Sequence, residues 1–491
     1  MKRKICLVLA MLMILSVCAG LVSCNDKADK GGASTTVTTT VPQGDDGKKN
    51  DKDDPKLYED LPTGAYEGYE FKTLNGKVGY SIDTIVPEDT TDTLDAAIYA
   101  RNAFVKEKLG ITMTDLYTDG VEGTMKSLTS SNDFEYDVVF NRVEFQIRIV
   151  PLGTYLPVDD YEEYLNFDKP WWFTDAMNSI KVDDRGFELF SDMHLAYYDS
   201  VWAMAFNHED LINNKQAFPY DLVRSGDWTL EELEKIIKAT YNKPGEEHYG
   251  ITSHAGSVTA FHVASDFKMI EQDDDAVLKM FEDETRFVEI YTAIKNALFT
   301  SNGPGKMNII RGNADAFNGY EVGWVDSFVN GQATFMAGTI GDLRAVRAST
   351  FNYGFVPMPK YERDQEQYIG MIHNGASSAG IPATQPDVER TCVILENLAA
   401  YSYKLVKYEY YDVVVQGRSV RDNDSIEMLD IAFGVDERGT TRFVIDKVFI
   451  MGLSVAVEGE MVKASESALI TLDGLRDGAE GRIEDIIESY K

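Results

Sequence analysis

From Tyr69 to Phe140 the hydrophobic pattern changes from strand-like to helix-like and back, and this alternation limits the fold more than any other feature. Tyr69 to Leu74 reads as a strand. Thr93 to Leu109 reads as a helix, with Leu94, Ala97, Ile98, Phe104, Val105 and Leu109 on one side and Gly110 ending it. Ile111 to Tyr117 and Tyr136 to Phe140 follow as strands. Strand, helix and strand in that order make a parallel βαβ unit, so the fold class is α/β. Leu195 to Asn207 is a long apolar-aromatic run, and Thr229 with Glu232 makes a capping box opening a helix with Leu233, Ile236 and Ile237 on one face. A second α/β block begins there. A helix over Glu321 to Val329, strands over Ala333 to Met336 and Phe351 to Pro357, and a mostly helical part from Asp387 onward complete the pattern, without internal repeats. A chain of 491 residues is expected to divide into at least two domains.

At the N-terminus, Lys2, Arg3 and Lys4 precede an apolar run from Ile5 to Val22, as in a signal peptide. Leu21-Val22-Ser23-Cys24 resembles the lipobox of bacterial lipoproteins. The resemblance implies a signal peptide over residues 1–23, lipid on Cys24, and an extracytoplasmic body anchored to the cell membrane. The competing reading, an uncleaved membrane anchor, lacks a charged stop directly after the apolar run. Residues 24–64 are expected to be the lipidated cysteine and a disordered acidic tether, rich in Lys, Asp, Gly, Thr and Ser. With Cys6 and Cys18 removed and Cys24 lipidated, only Cys392 remains, in an apolar helical run, so no disulfide is expected and Cys392 reads as buried.

The chain carries 81 acidic against 47 basic residues, a net charge of −34. Such a field excludes nucleic acid as a partner and disfavours polyanionic ligands. Catalytic signatures are missing: Asp159-Asp160 and Asp183-Asp184 are carboxylate pairs of the kind an acidic chain yields by chance. The histidines His194, His208, His248, His254, His262 and His373 show no metalloprotease spacing, and Asp273 to Asp275 lacks an EF-hand register. A binding protein without cofactor or metal is expected.

Five stretches, in this order, resemble the solute-binding proteins of ATP-driven importers, in particular the sugar-binding group that includes maltose-binding protein. They are Ala97 to Ile111; Tyr136 to Phe140 with Gly153 to Asp160; His194 to Leu211 with Trp228-Thr229; Phe328 to Met336 with Tyr353 to Tyr361; and the helical tail from Pro386. The resemblance implies a two-lobed, periplasmic-binding-protein-like fold of type II with crossover strands and a helical C-terminal part. Its first lobe would comprise residues 65–198 and 323–375, its second 199–322 and 376–491. It implies capture of a neutral oligosaccharide or similar small molecule by a monomer, for delivery to the transmembrane subunits of an ABC permease. A surface glycan-binding lipoprotein without transport and a peptide-binding member of the same fold are the alternatives.

In open α/β sheets ligands bind beyond the carboxyl ends of strands, which nominates the segments after Leu74, Phe140, Thr252 and Met336. Polar candidates there are Asn75, Asn141, Arg142, Ser253, His254, Asp342 and Arg344. Sugar faces stack on aromatic rings. Trp171 and Trp172 are candidates because neighbours in sequence are not expected to face one core. Tyr197 and Tyr198 are candidates because one of them must face the cleft if extended. Trp202 and Trp324 lie near the crossover and returning strands. Trp228, beside a capping box, is expected to pack internally. Gly338 to Arg344 holds no tryptophan, unlike the corresponding loop of maltose-binding protein, so the resemblance does not extend to maltodextrin specificity.

Overall fold

The structure, a computed structural model, describes residues 51–77, 92–181, 184–240, 248–254, 256–272, 278–300, 323–373, 375–411, 420–433, 441–447, and four further positions, 474, 476, 479 and 483. The expected signal peptide, Cys24 and the tether as far as Asn50 lie outside the described residues. Among those described, no helix is long and apolar enough to cross a membrane.

The tether expected up to residue 64 is shorter than its composition suggests. Asp51–Asp53 and Pro55–Tyr58 form short turns, and Leu61 is buried. Tyr58 stacks 5.9 Å from Trp171 and 6.2 Å from Tyr401, and Lys169 Nζ donates to the Leu57 carbonyl. One tyrosine thus fastens a polar segment to the body.

In chain order the strands that build the two main sheets, with two short pairs beside them, are β1 (Glu70–Gly76), β2 (Thr112–Thr118), β3 (Val138–Arg142), β4 (Trp202–Asn207), β5 (Tyr249–Thr252), β6 (Ile270–Gln272), β7 (Leu278–Met280), β8 (Ala333–Thr339), β9 (Tyr353–Pro357), β10 (Tyr368–Met371), β11 (Ser377–Gly380) and β12 (Thr441–Val444). The first sheet has the order β11-β3-β1-β2, with β1 parallel to both β2 and β3 and β11 antiparallel to β3. Parallel strands must be covered on both faces. Phe71, Val138 and Phe140 pack in the large core with Ile98 and Val105 of the helix Thr93–Leu109, while Leu74 and Val139 meet Val121 and Met125 of the helix Val121–Ser131 in a smaller one. The helix Thr93–Leu109 begins where Asp92 accepts from the Leu94 N–H and ends at Gly110, whose φ of 72° suits glycine. Phe104, expected on its buried side, is half-exposed against Tyr401. Arg101 is buried instead, donating to the Met193 carbonyl and Ser402 Oγ.

The second sheet has the order β5-β8-β4-β9, with β5 and β8 parallel and β4 antiparallel to both its neighbours. This pairing corrects the expected lobe boundaries. β8 and β9 bond to β4 and belong to the second lobe, whereas β11 and the helix Val388–Leu405, whose Asn397 accepts from Lys108 at 2.7 Å, belong to the first. The return to the first lobe therefore runs through Ile372 and His373, not through β8. There it lies beside the outgoing chain: Val201 bridges Ile372, and the His373 N–H donates to the Ser200 carbonyl at 2.9 Å. Cys392 is buried and unbonded to sulfur, and Trp228 is buried with its indole N–H on the Pro357 carbonyl.

Candidate ligand-binding site

The strand pairings put one edge of each sheet at the crossover. Trp202 opens β4 opposite Thr339 at the end of β8, so the start of β4 and the carboxyl ends of β5 and β8 share an edge. On the other side Ser377 pairs with Arg142, so the carboxyl end of β3 meets the segment His373 to Ser377. Four rings fill the junction. The Trp202 ring lies 4.9 Å from His254 and 6.3 Å from His373; His254 lies 5.4 Å from Trp324 and 5.9 Å from His373.

Local backbone sets each ring. After β5, the His254 Nδ1 accepts from the Gly256 N–H, turning the chain into the helix Ser257–Ala264. His373 does the same with the Gly375 N–H at 2.9 Å. Trp324 opens the helix Trp324–Val329 and lies over Gly338, where a Cβ would come within 2.9 Å of its Cη2. A glycine near the end of β8 is what admits this ring. Burial pushes the His254 pKa down, against the pull of Asp342. Burial, followed by the charges of His254 and Arg142, pushes His373 down to about 3. Both imidazoles are therefore neutral at physiological pH. The Trp202 indole N–H is buried with no hydrogen-bond partner among the described residues.

From the first lobe, Arg142 places its guanidinium 4.9 Å over Phe145 and pairs with Glu144 at 2.7 Å, and its buried Nε has no hydrogen-bond partner among the described residues. Asn75 and Asn141 are buried at the same edge. Asn75 Nδ2 donates to Thr73 Oγ1, and its Oδ1 is unpartnered. Gly76 lies against the Asn141 amide, which leaves no room there for a side chain.

Other sequence candidates are placed elsewhere. Trp171 and Trp172 are both buried in the first lobe with their indole N–H groups on the two oxygens of Glu396, at 3.0 and 2.8 Å. The chain turns here instead of extending, so neighbouring side chains enter one core, contrary to expectation. Burial raises the Glu396 pKa to about 7 against the pull of those donors. Tyr197 and Tyr198 are also both buried, because Ala196–Asp199 is a helical turn and not an extended crossover; Tyr197 stacks on Phe173 at 3.9 Å and Tyr198 donates to Asp192. Ser253 donates inward to the Ala337 carbonyl. Asp342 forms a capping box with Thr339 next to the cluster. Arg344 pairs with buried Asp199, which also accepts from Tyr410. Sequence reasoning missed His373 as a site residue. Its signal was a lone polar ring between two short apolar strands, legible only once the crossing point is known.

No family model matches the sequence, and no curated protein matches it. Solved structures do match. The sugar-binding protein MalE from the phytopathogen Xanthomonas citri is 14% identical with a TM-score of 0.57, over 85% of this chain and 97% of that one. UgpB from Mycobacterium tuberculosis, in complex with glycerophosphocholine, is 11% identical with a TM-score of 0.55, over 86% and 98%. An ABC substrate-binding protein from Listeria monocytogenes, in complex with cycloalternan, is 12% identical with a TM-score of 0.52, over 86% and 100%. The fold is that of the two-lobed solute-binding proteins. In this chain the ring cluster lies at the crossover between the two sheets, beside the carboxyl ends of β5 and β8.

Proposed function

We propose that this protein is an extracytoplasmic receptor, anchored by lipid on Cys24, that binds a neutral carbohydrate between its lobes and hands it to an ABC permease without altering it. The buried Trp202 N–H, without a hydrogen-bond partner among the described residues and set among Trp324, His254 and His373, carries this reading. A buried donor without an acceptor is unfavourable, and a hydroxyl oxygen of a ligand would satisfy it. The indole faces suit C–H-rich sugar faces, and each neutral imidazole, whose Nδ1 accepts a backbone N–H, carries its proton on Nε2 as a donor suited to a hydroxyl oxygen. Among the described residues at the cluster, the charges of Arg142 and Asp342 are already engaged, by Glu144 and by the cap with Thr339, which disfavours an ionic ligand. Sugars or a polyol are bound by several proteins of this fold, among them the Listeria protein with cycloalternan and one from Agrobacterium radiobacter with ribitol.

Thermal-shift and calorimetric screens over sugars, polyols, peptides and long glycans are the test. Saturable one-to-one binding of a short neutral carbohydrate, recovered intact, is expected. Stabilisation by peptides alone, preference for long polymers, or consumption of the ligand would each replace this reading. Cys24→Ser is expected to release the protein from the membrane fraction.

A further inference from the structure

A concavity lies between helix Thr174–Ser179 and the segment from Val263 to Ile270, and none of the four rings around Trp202 lines it. Its volume is about 330 Å³. One wall is the first-lobe helix Thr174–Ser179; the other is the second-lobe segment from Val263 to Ile270; the floor is β10 and the chain leaving β12. We infer that this cavity is a ligand site for a small zwitterion of amino-acid size.

The floor carries two adjacent ionisable residues of opposite sign. Lys447 is 8% exposed and Asp446 6%. Lys447 Nζ donates to the Ser179 carbonyl at 3.0 Å, its one hydrogen bond among the described residues, though an ammonium has three donors. Burial, with Lys268 nearby, lowers its pKa to about 8 against the pull of Asp446 and Asp184. At the exposed rim stand Asp175, Asp266 and Lys268. A simple anion entering here would meet three carboxylates, and a simple cation two ammonium groups. A molecule bearing both signs a few bonds apart can set its carboxylate on Lys447 and Lys268 and its ammonium towards Asp446 and the rim acids. Phe267, Ile369 and Ile445 supply apolar surface for the rest of it. The volume falls at the small end of the range for ligand pockets.

Titration calorimetry of the full chain in detergent tests this, with L-serine, L-glutamine and glycine betaine as zwitterionic probes and acetate and ethylammonium as single-charge controls. At least one zwitterion is expected to bind saturably with one-to-one stoichiometry, and the controls about tenfold more weakly or not at all. Lys447→Met and Lys268→Ala are each expected to weaken binding about tenfold. Lys268 is exposed, so its variant remains informative if Lys447→Met fails to fold. The proposal is overturned by no saturable binding of any zwitterion, by equal binding of the controls, or by an unaltered affinity in Lys268→Ala.

Discussion

Trp202 is buried, yet its indole nitrogen has no hydrogen-bond partner among the described residues. Trp202→Phe keeps a ring and removes the donor. The variant loses buried volume but no hydrogen bond among the described residues. The thermal midpoint is therefore expected to fall by a few degrees, as for other large-to-small core changes, while ligand affinity falls about tenfold, the worth of one hydrogen bond. Equal affinity in calorimetry would show that the N–H does not face the ligand. Trp171 and Trp172 teach the opposite lesson. Residue type and adjacency suggested stacking, but Glu396, over 220 positions away, receives both indoles, and no local pattern announces such a partner. Its pKa of about 7 against an ordinary 4.5 means that the folded state holds a proton there which the unfolded chain has released. The stability Glu396 contributes is therefore full below about pH 4.5 and lost as pH rises through 7. Relative to Glu396→Gln, the wild type is expected to lose on the order of 3 kcal/mol between pH 5 and 8. Urea denaturation at a series of pH values, followed by tryptophan fluorescence, would reveal a flat difference if this is wrong.

At the scale of elements, what was legible is what is decided locally. The helix Thr93–Leu109 has the bounds its caps predict, because Asp92 and Gly110 act within one turn. The strands beginning near Tyr69, Tyr136 and Ala333 were visible for the same reason, though each runs two or three residues further. The sheet to which β8, β9 and β11 belong was not visible, since strand pairing is non-local and the apolar runs look alike. Two glycines separate site from scaffold within the second sheet. A methyl at Gly354 would stand 2.6 Å from Phe206 and against the Tyr220 hydroxyl, in the packed interior of β9. Gly354→Ala is expected to destabilise by about 1–3 kcal/mol. Gly338→Ala pushes instead on the Trp324 ring. It is expected to lower ligand affinity several-fold at a smaller loss of stability. Chemical denaturation and calorimetry on both variants check the pair, and the reverse ranking would remove Trp324 from the binding surface.

For the whole molecule, the order of segments carried the two-lobed fold even though the lobe boundaries were misplaced. Several residues expected in the cleft serve the body instead, because a crossover needs a packed fulcrum: Tyr197 and Tyr198 are buried there with Tyr410 and Asp199, and Asp199 holds the partly exposed Arg344. Beyond that fulcrum the outgoing and returning chains touch through the Val201–Ile372 bridge and the His373 N–H to Ser200 carbonyl bond. Bending at these residues would part Arg142 from Trp202 without breaking a bond in either sheet. Ligand contacts to both lobes would then favour the approached form. Small-angle scattering is expected to show a smaller radius of gyration with ligand than without. Arg142→Ala takes away a first-lobe contact while leaving the second-lobe rings in place, so it should bind about tenfold more weakly and need correspondingly more ligand to reach the compact form. If the variant binds weakly yet the wild type shows no compaction, the lobes are already together without ligand, and the site is preformed rather than assembled by closure.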